Sequence, residues 1–106
     1  MGVEVEKRNS RRVIISPEDK IDLSNSYGFE KKLQAAYEQG YDEIIVDFKD
    51  VERIDTSGLG KLLLFYKKLR ERNGELQIIN LTNDYIKRMF KIIKLNKIIK
   101  IEELEN

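Results

Sequence analysis

The period of the apolar positions changes along the chain, and each change marks an element. Val3 and Val5 alternate with Glu4 and Glu6, and Val13-Ile14-Ile15 follows the turn-like run Lys7-Arg8-Asn9-Ser10. Alternation around a turn predicts a hairpin of two short strands. Ser16-Pro17-Glu18-Asp19 breaks the pattern, because proline has no N–H to give to a sheet ladder. Lys20-Ile21-Asp22-Leu23 then leads into a helix from about Asn25 to Gln39. Phe29, Leu33, Ala36 and Tyr37 fall on one face of it. Ser24 or Ser26 suits its N-cap, and Gly40 its end.

Ile44-Ile45-Val46-Asp47-Phe48 is nearly all apolar, as a strand covered on both faces must be. After Lys49 to Thr56, a second helix runs from about Ser57 to Arg72, with a buried stripe of Leu59, Leu62, Leu63, Tyr66 and Leu69 and with Phe65 beside it. Asn73-Gly74 ends it, and Leu76 to Leu81 forms the next buried strand. A third helix, about Asn83 to Lys94, presents Ile86, Met89, Phe90 and Ile93 before a short strand, Ile98 to Ile101, and an acidic tail. The order is ββαβαβαβ. Strand–helix–strand crossovers generate parallel pairs with helices on the sheet. The expected fold is therefore α/β, a single-domain open mixed β-sheet with helices packed on it, spanning residues 1–106 without repeat, low-complexity segment or linker.

Charge and composition narrow what such a domain does. Twenty Lys and Arg stand against 19 Asp and Glu, a net +1, which excludes bulk polyelectrolyte attraction to nucleic acid or anionic membrane. There is no His and no Cys, so histidine bases, thiolate nucleophiles, disulfides and thiolate or histidine metal ligands are all excluded. No apolar run reaches the roughly 18 residues that span a bilayer, and Met1 to Glu6 lacks a secretory profile. A cytoplasmic protein that is not an enzyme and carries no cofactor or metal is the expectation.

Asp55-Thr56-Ser57-Gly58-Leu59-Gly60 is the unusual segment. Two glycines at a helix start each cost about 1 kcal/mol relative to alanine, so either a tight turn or close approach by a partner or ligand must require them. Nucleotide motifs do not close here. Leu63 stands at the third glycine of a G-x-G-x-x-G fingerprint, and around Gly60-Lys61 a P-loop would need glycine at Asp55 and a hydroxyl at Leu62. What remains is a hydroxyl pair beside an acid at a helix N-terminus. One reading has Ser57 or Thr56 capping the helix, although Gly60 stands where a capping box has Glu or Gln. The other makes Ser57 a phosphate acceptor, since the modification adds about −1.5 to −2 charges at the positive end of the helix dipole, beside the Asp55 carboxylate.

This motif, preceded by Val46-Asp47-Phe48 and Val51-Glu52-Arg53-Ile54, closely resembles the STAS-domain anti-sigma-factor antagonists of bacteria. Ile21-Asp22-Leu23-Ser24 matches the family's second landmark, an Asp just before the first helix, and the resemblance runs through essentially the whole chain. It implies a STAS-like fold and partner switching. The unphosphorylated protein binds an anti-sigma factor that is also a serine kinase, which frees the sigma factor. Phosphorylation of the serine before Gly-Leu-Gly, here Ser57, abolishes binding, and a serine phosphatase restores it. Thr56 stands where the family often has a second serine, and offers a second hydroxyl. By the resemblance Asp22 and Asp55 belong to the partner-binding surface, together with Thr56, Ser57, Gly58, Leu59 and Gly60.

Two further readings stand beside this one. A STAS domain also serves as a signalling or scaffold module in a larger sensor complex. Lys87, Arg88, Lys91, Lys94, Lys97 and Lys100, with Asp84 the one acid between Thr82 and Ile101, form a basic segment that either binds nucleic-acid phosphates or is a solvated helix face. No direct nucleic-acid or membrane partner is expected.

Overall fold

The computed structural model describes residues 11–104. Four strands form one sheet in the order β1 (Arg12–Ile15), β3 (Glu43–Asp47), β5 (Glu75–Ile79), β6 (Lys100–Ile101), and a two-stranded ribbon pairs β2 (Asp19–Ile21) with β4 (Val51–Ile54). Every pairing among the described residues is parallel. The predicted strand Val3 to Glu6 and its hairpin turn lie outside the described residues.

The α/β layering is the expected one, and β3 explains why its sequence is so apolar. It pairs on both sides, Ile44 with Val13 and with Leu76, and Ile44, Ile45 and Val46 are all buried. By contrast β5 alternates, with Leu76 and Ile78 fully buried and Gln77 and Ile79 only partly so. Three helices complete the domain: α1 (Ser26–Glu38), α2 (Thr56–Arg70) and α3 (Asp84–Ile92). The first two pack side by side. Tyr37 of α1 meets Phe65 of α2 edge-on with ring centroids 6.3 Å apart, and Lys61 pairs with Glu30 at 3.1 Å. Helix α3 packs by β4, and its Phe90 meets Phe48, just after β3, edge-on at 6.0 Å.

Several sequence expectations change in detail. The ribbon β2–β4 occupies stretches whose sequence predicts only connecting chain; its strands are three and four residues long, and only Ile21, Val51 and Ile54 are buried. Too few apolar positions occur there to show a period. On α2 the buried stripe is Gly58, Leu62, Phe65 and Leu69, so Leu63 stands outside it, 36% exposed. Four successive apolar residues, Leu62 to Phe65, leave the phase of the helix open in sequence, and packing chooses Phe65. Helix α3 ends two residues early and leaves Ile93 half out, 44% exposed. A left-handed Lys94 (φ 61°) and a 3-10 turn, Leu95–Lys97, lead into the last strand, which spans Lys100–Ile101 and leaves Ile98 and Ile99 of the predicted strand outside it. Ser24 and Ser26 do not cap α1: Asn25 takes the N-cap position and uses its side-chain oxygen on the Asp22 N–H instead.

Candidate functional site

Parallel pairing of β2 with β4 brings the ends of both strands to one place, and the two sequence landmarks follow directly from those ends. The Asp55 N–H donates to the Ile21 carbonyl at 3.1 Å, which closes the junction. Above it Asp55 uses both carboxylate oxygens. Oδ1 accepts the N–H groups of Ser57 (2.9 Å) and Gly58 (3.1 Å), and Oδ2 accepts the N–H of Leu23 (3.1 Å), 32 residues earlier in the chain. Asp55 is therefore the N-cap of α2, in extended backbone at φ −113°. The helix starts one residue earlier than the apolar pattern indicates, so capping by Ser57 or Thr56 gives way to capping by Asp55. An aspartate in that position is also the charge a helix N-terminus favours.

This assignment frees Ser57. Its backbone N–H is held by Asp55, yet its hydroxyl has no hydrogen-bond partner among the described residues, and the residue is half-buried in the first turn of α2. Thr56 beside it is exposed.

The two glycines separate into different roles. A Cβ on Gly58 would stand 2.5 Å from the Ile21 carbonyl oxygen and 2.6 Å from Ile21 Cγ2, so α2 can begin against the end of β2 only if no side chain is there. A Cβ on Gly60 would meet nothing within 4 Å. The fold needs the first glycine and leaves the second facing solvent.

Asp22 organises the other loop. Its Oδ1 accepts the Ser24 hydroxyl at 2.6 Å and the Ser24 N–H at 2.9 Å, its carbonyl accepts the Asn25 N–H at 3.0 Å, and Lys20 Nζ lies 3.9 Å from Oδ2. The Ser24 hydroxyl does most to hold the Asp22 carboxyl below its ordinary 3.8; partial burial opposes it, and the Ser24 N–H, the Lys20 charge and the Asn25 backbone assist. Both acids are thus engaged by donors of the two joined loops, and neither is set up as a free acid or base.

All seven sequence-derived site residues lie in these two joined loops and the first turn of α2: Asp22, Asp55, Thr56, Ser57, Gly58, Leu59 and Gly60. Two exposed apolar residues outside the motif, Leu23 (78% exposed) and Tyr27 (70%), stand beside the Asp22 loop. A lone leucine in a polar loop is the sequence signal for the first. Gly60, Leu63 and Leu64 continue the outward side of α2 from Ser57 at helical spacing, and both leucines are exposed. Among the described residues no acid cluster could hold a metal ion, and no helix is long and apolar enough to cross a membrane.

Parallel layering, the joined loops and a capped serine turn define a known class: the STAS domain family profile matches residues 3–105, and the chain belongs to that family. Within it the similarity is to anti-sigma factor antagonists. The anti-sigma-B factor antagonist of Bacillus subtilis (strain 168) is 31% identical over 102 residues, covering 95% of this chain and 92% of the relative. The anti-sigma-B factor antagonist of Listeria monocytogenes is 27% identical over 105 residues, covering 99% and 91%. Among solved structures, an anti-sigma factor antagonist from Mycobacterium paratuberculosis shares the fold at a TM-score of 0.72 and 21% identity, over 92% of this chain and 81% of that one.

Proposed function

We propose that this chain is the phosphorylation-controlled member of a partner switch. Unphosphorylated, it binds an anti-sigma factor that is also a serine kinase and so releases a sigma factor. Phosphate on Ser57 ends that binding, and a serine phosphatase restores it. The observation that carries the reading is the division of labour between Asp55 and Ser57. Asp55 takes the cap, so the Ser57 hydroxyl can accept a phosphoryl group without any loss of the bonds that start α2. The N-terminal end of a helix also tolerates the added charge.

The binding surface in this reading is the pair of joined loops with the outward side of α2: Asp22, Leu23, Thr56, Ser57, Leu59 and Gly60. Bare backbone at Gly60 permits close approach, and Leu23, Leu63 and Leu64 supply apolar area. A phosphate there places an unpaired dianion beside Asp55 within that surface, so binding is lost by desolvation and repulsion while the fold stays intact. The protein brings no general base to Ser57. The kinase supplies the proton acceptor and magnesium site, because phosphoryl transfer depends chiefly on positioning and charge. The printed names of the relatives support the partner class, and the structural neighbour SpoIIAA of Bacillus has been solved in a phosphorylated form.

The test is incubation with the anti-sigma factor kinase of the same genome, magnesium and ATP, followed by peptide mapping. One phosphate on Ser57, absent from Ser57→Ala, is expected. Label mainly on Thr56, or retained in Ser57→Ala, overturns the assignment.

A further inference from the structure

The outer side of α3 is not absorbed by the switch. Tyr85, Met89 and Ile92 recur at spacings of 4 and 3, which aligns them as one seam along the helix. Tyr85 is 68% and Ile92 72% exposed, while Ile86 and Phe90, on the opposite side, are fully buried. A shallow cavity of about 210 Å³ lies along this seam, lined by Tyr85, Arg88, Met89 and Ile92. A second one beside it is lined by Asp84, Lys87, Arg88, Lys91, Ile92 and Leu104. Lys87, Arg88, Lys91 and Lys94 form no ion pair among the described residues, although Arg12, Lys20, Lys49 and Lys61 do.

We infer that this face is a docking site for an acidic amphipathic helix of a partner protein. The helix would lay an apolar seam against Tyr85, Met89 and Ile92 and point its carboxylates at Arg88 and Lys91. The 4-and-3 spacing is the one that a second helix matches with its own apolar stripe. Cations along one flank of the seam select the sign of the partner. A second copy of this chain is disfavoured as occupant, because a two-fold pairing would bring Arg88 and Lys91 against their own equivalents. A flat anionic surface, whether lipid or duplex nucleic acid, makes no use of the concavity between Tyr85 and Ile92. None of the residues lining this seam belongs to the joined loops or to α2.

The experiment uses the full chain, isotopically labelled, with a synthetic helical peptide of about three heptads carrying Leu at a and d and Glu at the flanking positions. Amide shifts are followed by NMR for wild type, Ile92→Glu and Arg88→Glu. Shifts confined to 84–94 are expected, with at least tenfold weaker binding in each variant; both positions are exposed, so melting temperatures should stay at the wild-type value. Three results would overturn the inference: no shift on α3, equal response to a peptide of the same composition with its leucines scrambled, or equal response to phosphatidylglycerol vesicles or a duplex oligonucleotide. In the last two cases charge alone is being read.

Discussion

Gly58 and Gly60 lie two residues apart in the same helical turn, and the structure gives their replacement by alanine opposite signs. At Gly58 the new Cβ would sit 2.5 Å from the Ile21 carbonyl oxygen, where ordinary contact begins at 3.4 Å, so strand end and helix start must part by about 0.9 Å. That movement stretches the two bonds that join the loops, Asp55 N–H to Ile21 and Leu23 N–H to Asp55, both now 3.1 Å, out of the hydrogen-bonding range. Two such bonds contribute about 0.5–1.5 kcal/mol each, and forced overpacking costs about 1–3 kcal/mol. The gain in helix propensity from glycine to alanine returns about 1 kcal/mol. Gly58→Ala should therefore lose about 3 kcal/mol. In a domain of 106 residues this lowers the melting temperature by about 12 °C. At Gly60 only the propensity gain applies, and Gly60→Ala should melt about 2–4 °C above wild type. Thermal and urea melts of the three proteins decide the matter. If Gly58→Ala melts at or above wild type, or if the two variants move together, the close approach of α2 to β2 is not what the glycine serves.

The same geometry makes further predictions. Asp55→Ala removes the cap and the tie to Leu23 together, so it should cost at least the 1–2 kcal/mol of a lost N-cap in urea melts; a loss below about 0.5 kcal/mol would contradict the bonding described. Because the folded Asp22 carboxyl lies below its ordinary 3.8, its contribution is present above that value and lost as pH falls through the lower folded one. Stability should thus decline below about pH 4 with a slope that Asp22→Asn reduces, and an unchanged acid limb in that variant would count against it. Gly60→Ala, though more stable, should bind the anti-sigma factor at least tenfold more weakly, since its Cβ projects into the surface proposed for the partner; wild-type affinity by calorimetry would remove Gly60 from that proposed interface.

Where periodicity is clear, the sequence reports the fold faithfully: β3 and the core of α1 are where the pattern places them. It fails where an element has too few buried positions to establish a phase, as in β2 and β4, or too many in succession, as in Leu62 to Phe65. The site residues were legible as a motif, but their mutual arrangement was not. That Asp55 reaches Leu23 across 32 residues depends on the parallel pairing of two strands the sequence did not announce. The identity of the cap turned on a single residue of helix boundary, which only the backbone settles.

In the proposed switch, charge at Ser57 controls binding without controlling the fold. Isothermal titration of the anti-sigma factor kinase into wild type and Ser57→Asp, each checked by a thermal melt, tests it most directly. An anion in the first turn of α2 should leave stability unchanged or raise it by about 0.3–1 kcal/mol. In the interface the same charge should weaken binding at least tenfold, about 1.4 kcal/mol, while Ser57→Ala should still bind. Ser57→Asp binding as tightly as wild type, or failing only because it unfolds, would contradict the account.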